Sequence, residues 1–222
     1  MSPQDILNKL LSGRVVLHPV TIPEGYNLAQ ITEVFAAQHV TDVQEFSKLA
    51  RDRSFIATLG IEADSLEGYL FPETYSFPRG AKAREVIKAM VDGLHRVWSA
   101  ELQEQATRMK LSLHQVLTLA SVIEKETGSK EERELIAAVF HNRLRKKIPL
   151  QSDPTVIYGL PAFDGNIHKR DLSVMSPYNT YRVQGLPPGP IASPGAHSLR
   201  AALFPASWPP SWMKWATKSP MA

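Results

Sequence analysis

Residues 113–126 are the sequence feature that most constrains the fold of this chain. The segment reads LHQVLTLASVIEKE, and it is mostly apolar until it ends on two carboxylates, Glu124 and Glu126. Ser112 followed by Gln115 predicts a capping box at its start. A helix with so much apolar surface has to be buried by other elements, so we expect it at the centre of the molecule.

Composition limits the class of protein. Of 222 residues, 43% are hydrophobic and 21% are charged, which is typical of a soluble globular chain and not of a disordered one. The absence of cysteine excludes disulfides and thiolate chemistry. No apolar run reaches the roughly 18 residues of a membrane span, and no signal peptide stands at the start. The net charge of +3 suits an anionic polymer or a membrane neighbour without establishing either, and we predict no nucleic-acid partner.

The first part of the chain predicts short elements. Residues 1–38 predict a small helix–strand–helix module, in which the strand over 14–22 contains Pro19 and therefore lies at a sheet edge. Two short helices are predicted over 41–60. The segment 65–80 is rich in aromatic residues, Pro and Gly, which predicts a loop with an extended piece.

The second part predicts longer helices and then loops. Apolar spacing predicts one amphipathic helix from Ala81 to about Met109. Ser129 with Glu132 predicts a second capping box that begins the helix ending in RLRKK. After Pro149 the chain predicts loops and short strands, followed by a short helix in AHSLRAALFP. The fold class is therefore α+β, mainly helical, with short strands and long loops.

Glu124 is the candidate proton donor. On a helical projection it lies within about 40° of Leu117 and Ala120, so it continues the apolar face, whereas Glu126 lies about 200° away from it. Partial burial raises the pKa of a carboxyl group and keeps a proton available near neutral pH, as a general acid requires. The alternative is a helix end that simply reaches solvent with two acids.

Two polar clusters follow in the loops. Asp before Pro and a turn containing Tyr are both common structural features, so each cluster has a purely structural alternative. Neutral hydrogen-bonding side chains beside aromatic rings also suit a sugar. The candidate substrate-binding residues are Gln151, Ser152, Asp153, Tyr158, Tyr178, Asn179, Thr180 and Tyr181. The seven histidines have no metal-ligand spacing, and we predict no metal and no cofactor.

Six motifs occur in one order along the chain: LEGYLFPETY, ASVIEKET, VFHNRL, LQSDPTVIYG, YNTY and GLPPGPIASPG. Together they resemble the YceG-like family of endolytic murein lytic transglycosylases, over residues 1 to about 206. The resemblance implies a lyase that cleaves peptidoglycan strands between N-acetylmuramic acid and N-acetylglucosamine and leaves a 1,6-anhydro end. It also implies a place in the bacterial inner membrane with the enzyme on the periplasmic side, a role in limiting strand length, and cell-wall synthases as possible partners.

The resemblance also assigns residues and domains. It implies that Glu124, the first Glu of IEKET, is the catalytic acid and base, and that the eight candidate residues bind sugar. Residues 1–38 resemble the second half of a LysM-like module, and 39–206 resemble the catalytic domain. The ending over 207–222 does not resemble the family, so we expect an atypical tail, missing C-terminal strands and weak activity at best. The family's membrane helix is also absent from the sequence.

Two other functions remain open. One is a muramidase-type hydrolase that uses Glu124 together with Asp153, because hydrolases normally need a second carboxylate. The other is a peptidoglycan-binding protein without activity.

Overall fold

The computed structural model describes residues 15–207, together with Gln4. The helix predicted near the N-terminus, apart from Gln4, and all of the predicted tail except Ser207 lie outside the described residues.

The described elements alternate between short and long helices, with two short strands. In chain order they are β1 (His18–Thr21), α1 (Leu28–Ala37), α2 (Val43–Leu49), α3 (Arg53–Thr58), β2 (Thr74–Phe77), α4 (Ala83–Val97), α5 (Ala100–Met109), α6 (Leu113–Glu126), α7 (Arg133–Arg145), α8 (Asp153–Gly159), a 3-10 turn (Asp171–Ser173) and α9 (Ala196–Leu203). The mainly helical α+β class is confirmed.

The two strands form an antiparallel sheet. His18 pairs with Phe77 and Thr21 with Thr74, so the sheet joins segments that are more than fifty residues apart. Pro19 lies in β1, and in a sheet of two strands each strand is an edge, which agrees with the expectation from that proline. Between residues 15 and 207 no other strand appears, so the short strands expected after Pro149 are wrong for the described part.

The long helix predicted over 81–109 is also wrong, because the chain forms two helices there. α4 ends at Val97, and Trp98 leaves the helical conformation with ψ at 69°. Ser99 then begins α5, and its side chain accepts a hydrogen bond from the Leu102 N–H. A serine able to cap a new helix interrupts an apolar pattern that continues across it.

α6 is the central helix, as its sequence predicts. Its residues from Val116 to Glu124 are all buried, and the predicted capping box between Ser112 and Gln115 is confirmed. It contacts α7, α8 and α9. The second predicted capping box is wrong: α7 begins at Arg133, and Glu132 is bound by Thr127 instead of capping with Ser129.

One apolar core runs through the described residues. Ile22 and Ile31 from the N-terminal part belong to the same buried cluster as Leu117 and Leu199. The predicted boundary at residue 38 therefore does not coincide with a break in the core. A LysM-like module over 1–38 stays a prediction.

Candidate active site

The last turn of α6 carries two glutamates with different surroundings. Glu124 points into the protein and is 9% exposed, whereas Glu126 is exposed. Two residues along an α-helix correspond to a rotation of about 200°, so the two carboxyl groups cannot share a face. They belong to two separate groups of contacts.

Glu126 meets the loop that leads into α8. Its Oε2 accepts a hydrogen bond of 2.9 Å from the Ser152 hydroxyl. The protein around the carboxyl group desolvates it and raises the pKa of Glu126, although the residue has an open side. The Ser152 hydrogen bond lowers that pKa, the negative charge of Asp153 raises it, and the positive charge of Arg143 lowers it. A carboxyl group with a raised pKa and solvent access can both carry and release a proton.

Arg143 holds the loop before Ser152. Its Nη1 donates to the backbone oxygens of Pro149 and Leu150 at 3.0 and 2.9 Å and to Gln151 Oε1 at 2.9 Å. Gln151 has a φ of 53°, a left-handed conformation that is unfavourable for a residue with a side chain. The guanidinium fixes this turn, and the turn presents Ser152 to Glu126.

Asp153 is the first residue of α8 and is held by Tyr181. The Tyr181 hydroxyl donates to Asp153 Oδ1 at 2.7 Å. Burial, and then the hydrogen bond to Asp153, raise the pKa of Tyr181, so its hydroxyl stays a donor. We call Glu126, Ser152, Asp153 and Tyr181 the Glu126 site.

Three of the predicted substrate-binding residues lie inside the protein. Ser152, Asn179 and Thr180 are fully buried. Asn179 donates to backbone oxygens at 3.1 and 2.7 Å and accepts from the Tyr181 N–H, and Thr180 accepts from the Ser152 N–H at 3.0 Å. Asn179 and Thr180 therefore support the loop and have no free surface for a sugar.

Tyr158 and Tyr178 lie in a second group of contacts, near the other end of α8. Their ring centroids are 4.8 Å apart. The Tyr158 hydroxyl donates to Glu67 Oε2 at 3.1 Å, and Tyr178 lines a cavity of about 260 Å³ together with Glu67 and His114. Aromatic faces beside a cavity suit a sugar, and sugar binding by these two residues stays a prediction.

Glu67 is a titratable residue that the sequence analysis does not single out. It is 6% exposed, and burial raises its pKa to about 7 against the lowering effects of Tyr158 and the Leu28 N–H. A signal was available, because Glu67 lies within the apolar and aromatic stretch LEGYLF, where a carboxylate has few routes to solvent. We call Glu67, Tyr158 and Tyr178 the Glu67 site.

Glu124 is buried as predicted, but its carboxylate is bound by other groups of the protein. Arg133 Nη2 donates to its Oε1 at 2.7 Å, and the Gly195 N–H donates to its Oε2 at 3.0 Å. The guanidinium and the backbone N–H occupy both carboxylate oxygens, so neither oxygen is free to face a substrate. The assignment of Glu124 as acid does not fit these contacts.

Glu124 and Asp153, the pair of the hydrolase alternative, have different hydrogen-bond partners. Among the described residues, Glu124 contacts Arg133 and Gly195, whereas Asp153 contacts Tyr181. The part of the chain that the structure describes contains no group of three His, Asp or Glu side chains arranged for a metal ion. Over the same residues, none of the helices combines the length and the apolar character needed to cross a bilayer.

Known proteins share this chain's sequence and fold. An endolytic murein transglycosylase of Bacillus subtilis is 39% identical over 221 residues, covering 90% of this chain and 60% of the relative. One of Streptococcus pneumoniae is 33% identical, covering 91% of this chain and 42% of the relative. The crystal structure of a yceG-like protein from Listeria monocytogenes superposes with a TM-score of 0.79 at 37% identity, covering 94% of this chain and 74% of that one.

The matches cover most of this chain but only part of the two transglycosylases. This chain spans 42% to 60% of the length of these two transglycosylases. The model of the YceG-like family matches residues 1–214, nearly the whole sequence. The chain therefore belongs to the YceG-like family.

Proposed function

We propose that this protein is an endolytic lytic transglycosylase of peptidoglycan and that Glu126, not Glu124, is its acid and base. The carrying observation is the carboxyl group of Glu126, which has a raised pKa, an open side and one hydrogen bond, to Ser152. The names of the relatives, and the family to which the chain belongs, support the reaction class.

The proposed reaction needs one carboxyl group. Protonated Glu126 gives its proton to the glycosidic oxygen, and the bond from that oxygen to C1 of N-acetylmuramic acid breaks. The C6 hydroxyl of the same sugar then attacks C1, and its proton goes to the Glu126 carboxylate. The product is a 1,6-anhydro ring, no water is consumed, and Glu126 ends in its starting state.

Asp153 supports this cycle electrostatically. Its negative charge raises the pKa of Glu126, which favours the protonated starting state. The same charge stabilises the oxocarbenium-like transition state. Tyr181 holds Asp153 in place through its 2.7 Å hydrogen bond, which leaves Asp153 oriented for this role.

The test is digestion of purified peptidoglycan strands, followed by mass spectrometry of the products. We expect Glu126→Gln to lower turnover by at least about 10²-fold, because the amide keeps the shape but carries no acidic proton. Glu131→Gln, which changes an exposed acid shortly after α6, is the control. Near-normal turnover by Glu126→Gln would remove it from the mechanism.

The products separate the proposed function from its alternatives. Anhydro ends, which are one water lighter than reducing ends, identify a transglycosylase. Reducing ends identify a hydrolase, and retained but intact glycan identifies a binding protein.

We also propose a location and partners from the family resemblance. The enzyme would act at the bacterial inner membrane on its periplasmic side, next to cell-wall synthases, where it would limit the length of new strands. Residues 1–38 would contribute part of a LysM-like module. Fractionation of cells and co-purification with synthases test these two statements.

A further inference from the structure

A buried arginine connects two glutamates from distant parts of the chain. Arg133, the first residue of α7, pairs with Glu124 at 2.7 Å and with Glu24 at 3.5 Å. The side chains of Arg133 and Glu124 are each 5% exposed, and that of Glu24 is 39% exposed. We call these three residues the Arg133 cluster. The proposed reaction does not use them.

Backbone contacts bring the same segments together. The Gly25 N–H donates to the Ser193 oxygen at 2.8 Å, and the Ser193 N–H donates to the Tyr26 oxygen at 2.8 Å. Lys125, which lies between the two glutamates of α6, donates to the Gly25 oxygen at 3.3 Å. A Cβ at Gly195 would collide with the Glu24 carboxylate, so packing there is close. The end of α6 is therefore fixed from several sides.

Two features of the last turn of α6 would destabilise it without these contacts. Thr127, which follows it, is extended with φ at −144°, so the helix lacks the left-handed cap that often satisfies its last carbonyls. Glu124 and Glu126 also place negative charge at the negative end of the helix dipole. The guanidinium of Arg133 offsets this repulsion at Glu124 and ties the turn to α7.

We propose that Glu124 and Arg133 are positioning residues that fix the last turn of α6 and thereby hold the Glu126 carboxyl against Ser152. Glu126 lies two residues beyond Glu124, so a shift of this turn moves its carboxyl directly. The inference rests on the proposed function for its kinetic test, but its geometric test does not need a substrate.

The experiment compares Glu124→Gln, Arg133→Met and the double variant. Each single variant leaves the other member of a buried ion pair without its partner, which is strongly unfavourable, whereas removing both charges is often tolerated. In the double variant the amide at position 124 still has an oxygen that can accept from the Gly195 N–H. The control is the exposed ion pair between Glu101 and Arg200, at 3.1 Å, neutralised in the same way.

The expected kinetics follow from misplacement of the acid. Each single variant should lower kcat by roughly 10- to 100-fold with a smaller change in KM, because a displacement of about 1 Å has effects of this size. The double variant should recover at least about tenfold of that loss. The Glu101 and Arg200 variants should keep wild-type kcat.

A titration separates positioning from a merely structural role. Burial and the charge of Asp153 raise the pKa of Glu126 and the hydrogen bond from Ser152 lowers it, so a Glu126 displaced from these neighbours should titrate at a different pH. Carbon-13 NMR of the Glu126 carboxyl measures this shift without substrate. A residue that only stabilised the fold would lower the melting temperature and leave the titration of Glu126 in place.

The outcomes decide between the possibilities. Single variants that are folded, with wild-type kcat and an unshifted Glu126 titration, would overturn the inference. A double variant as inactive as Glu126→Gln would overturn it too, because removing both charges together would then fail to restore the position of Glu126. If the wild type cleaves no glycan but Arg133→Met still shifts the titration of Glu126, the proposed function fails and the positioning role stands.

Discussion

Glu67 allows a prediction of stability against pH that follows from its burial. Its carboxylate accepts hydrogen bonds of 3.1 Å from the Leu28 N–H and from the Tyr158 hydroxyl. These hydrogen bonds lower the pKa of Glu67, but burial has the larger effect and raises it to about 7 from an ordinary 4.5. The folded protein therefore binds this proton more tightly than the unfolded chain does.

The sign and size of the effect follow from linkage. The protonated carboxyl contributes stability that is fully present below pH 4.5 and is lost as the pH rises to about 7. One pKa unit corresponds to about 1.4 kcal/mol, so the difference of about 2.5 units corresponds to about 3 kcal/mol in the free energy of unfolding. Above pH 7 both states are ionised and the contribution stays constant.

Glu67→Gln tests this directly. The amide resembles the protonated acid in shape and remains uncharged, so the variant lacks this dependence on pH. The free energy of unfolding of the variant minus that of the wild type should therefore rise by about 3 kcal/mol between about pH 4.5 and about pH 8. Urea unfolding across this range measures it, and Glu104→Gln on the exposed side of α5 is the control. A difference that stays constant with pH would refute the reasoning.

Two further predictions concern a glycine and a serine. Gly68 and Gly60 both have left-handed φ, at 78° and 74°, but a Cβ at Gly68 would collide with the Pro190 ring, whereas Gly60 faces open space. Gly60→Ala should therefore lower the free energy of unfolding by about 1–2 kcal/mol, and Gly68→Ala should lower it more; equal losses in urea unfolding would contradict this. Ser152→Ala removes the hydrogen bond that lowers the pKa of Glu126, so the limb of the pH–rate profile due to Glu126 should move to higher pH. An unmoved limb would show that another group controls the rate.

The local elements of this fold could be predicted from sequence, because their signals lie within a few residues. The α6 capping box between Ser112 and Gln115 is such a signal, and the apolar spacing after it needs no knowledge of the rest of the chain. The pairing of β1 with β2 joins His18 to Phe77, and no local pattern specifies a partner at that distance. The break at Ser99 depended on which of two local signals, apolar period or N-cap, was stronger.

The site was predictable only in part, and Glu124 shows why. Its direction followed correctly from the helical period, since the residue is buried on the apolar face. Its chemistry depended on what lies opposite that face, and Arg133 lies nine residues further on, after a change of chain direction. A helical projection contains no information about that neighbour. The same limit hid Glu126, because its partner Ser152 comes from another element.

The segment DPTVIYG connects the two groups of titratable residues. Asp before Pro predicts a turn here, but Pro also suits the first turn of a helix, where its missing N–H is not needed. As α8, the segment places Asp153 and Tyr158 about 7.5 Å apart along the helix axis, from a rise of about 1.5 Å per residue. Asp153 raises the pKa of Glu126 at one end, and Tyr158 donates to Glu67 at the other. α8 therefore connects the Glu126 site and the Glu67 site through one helical element.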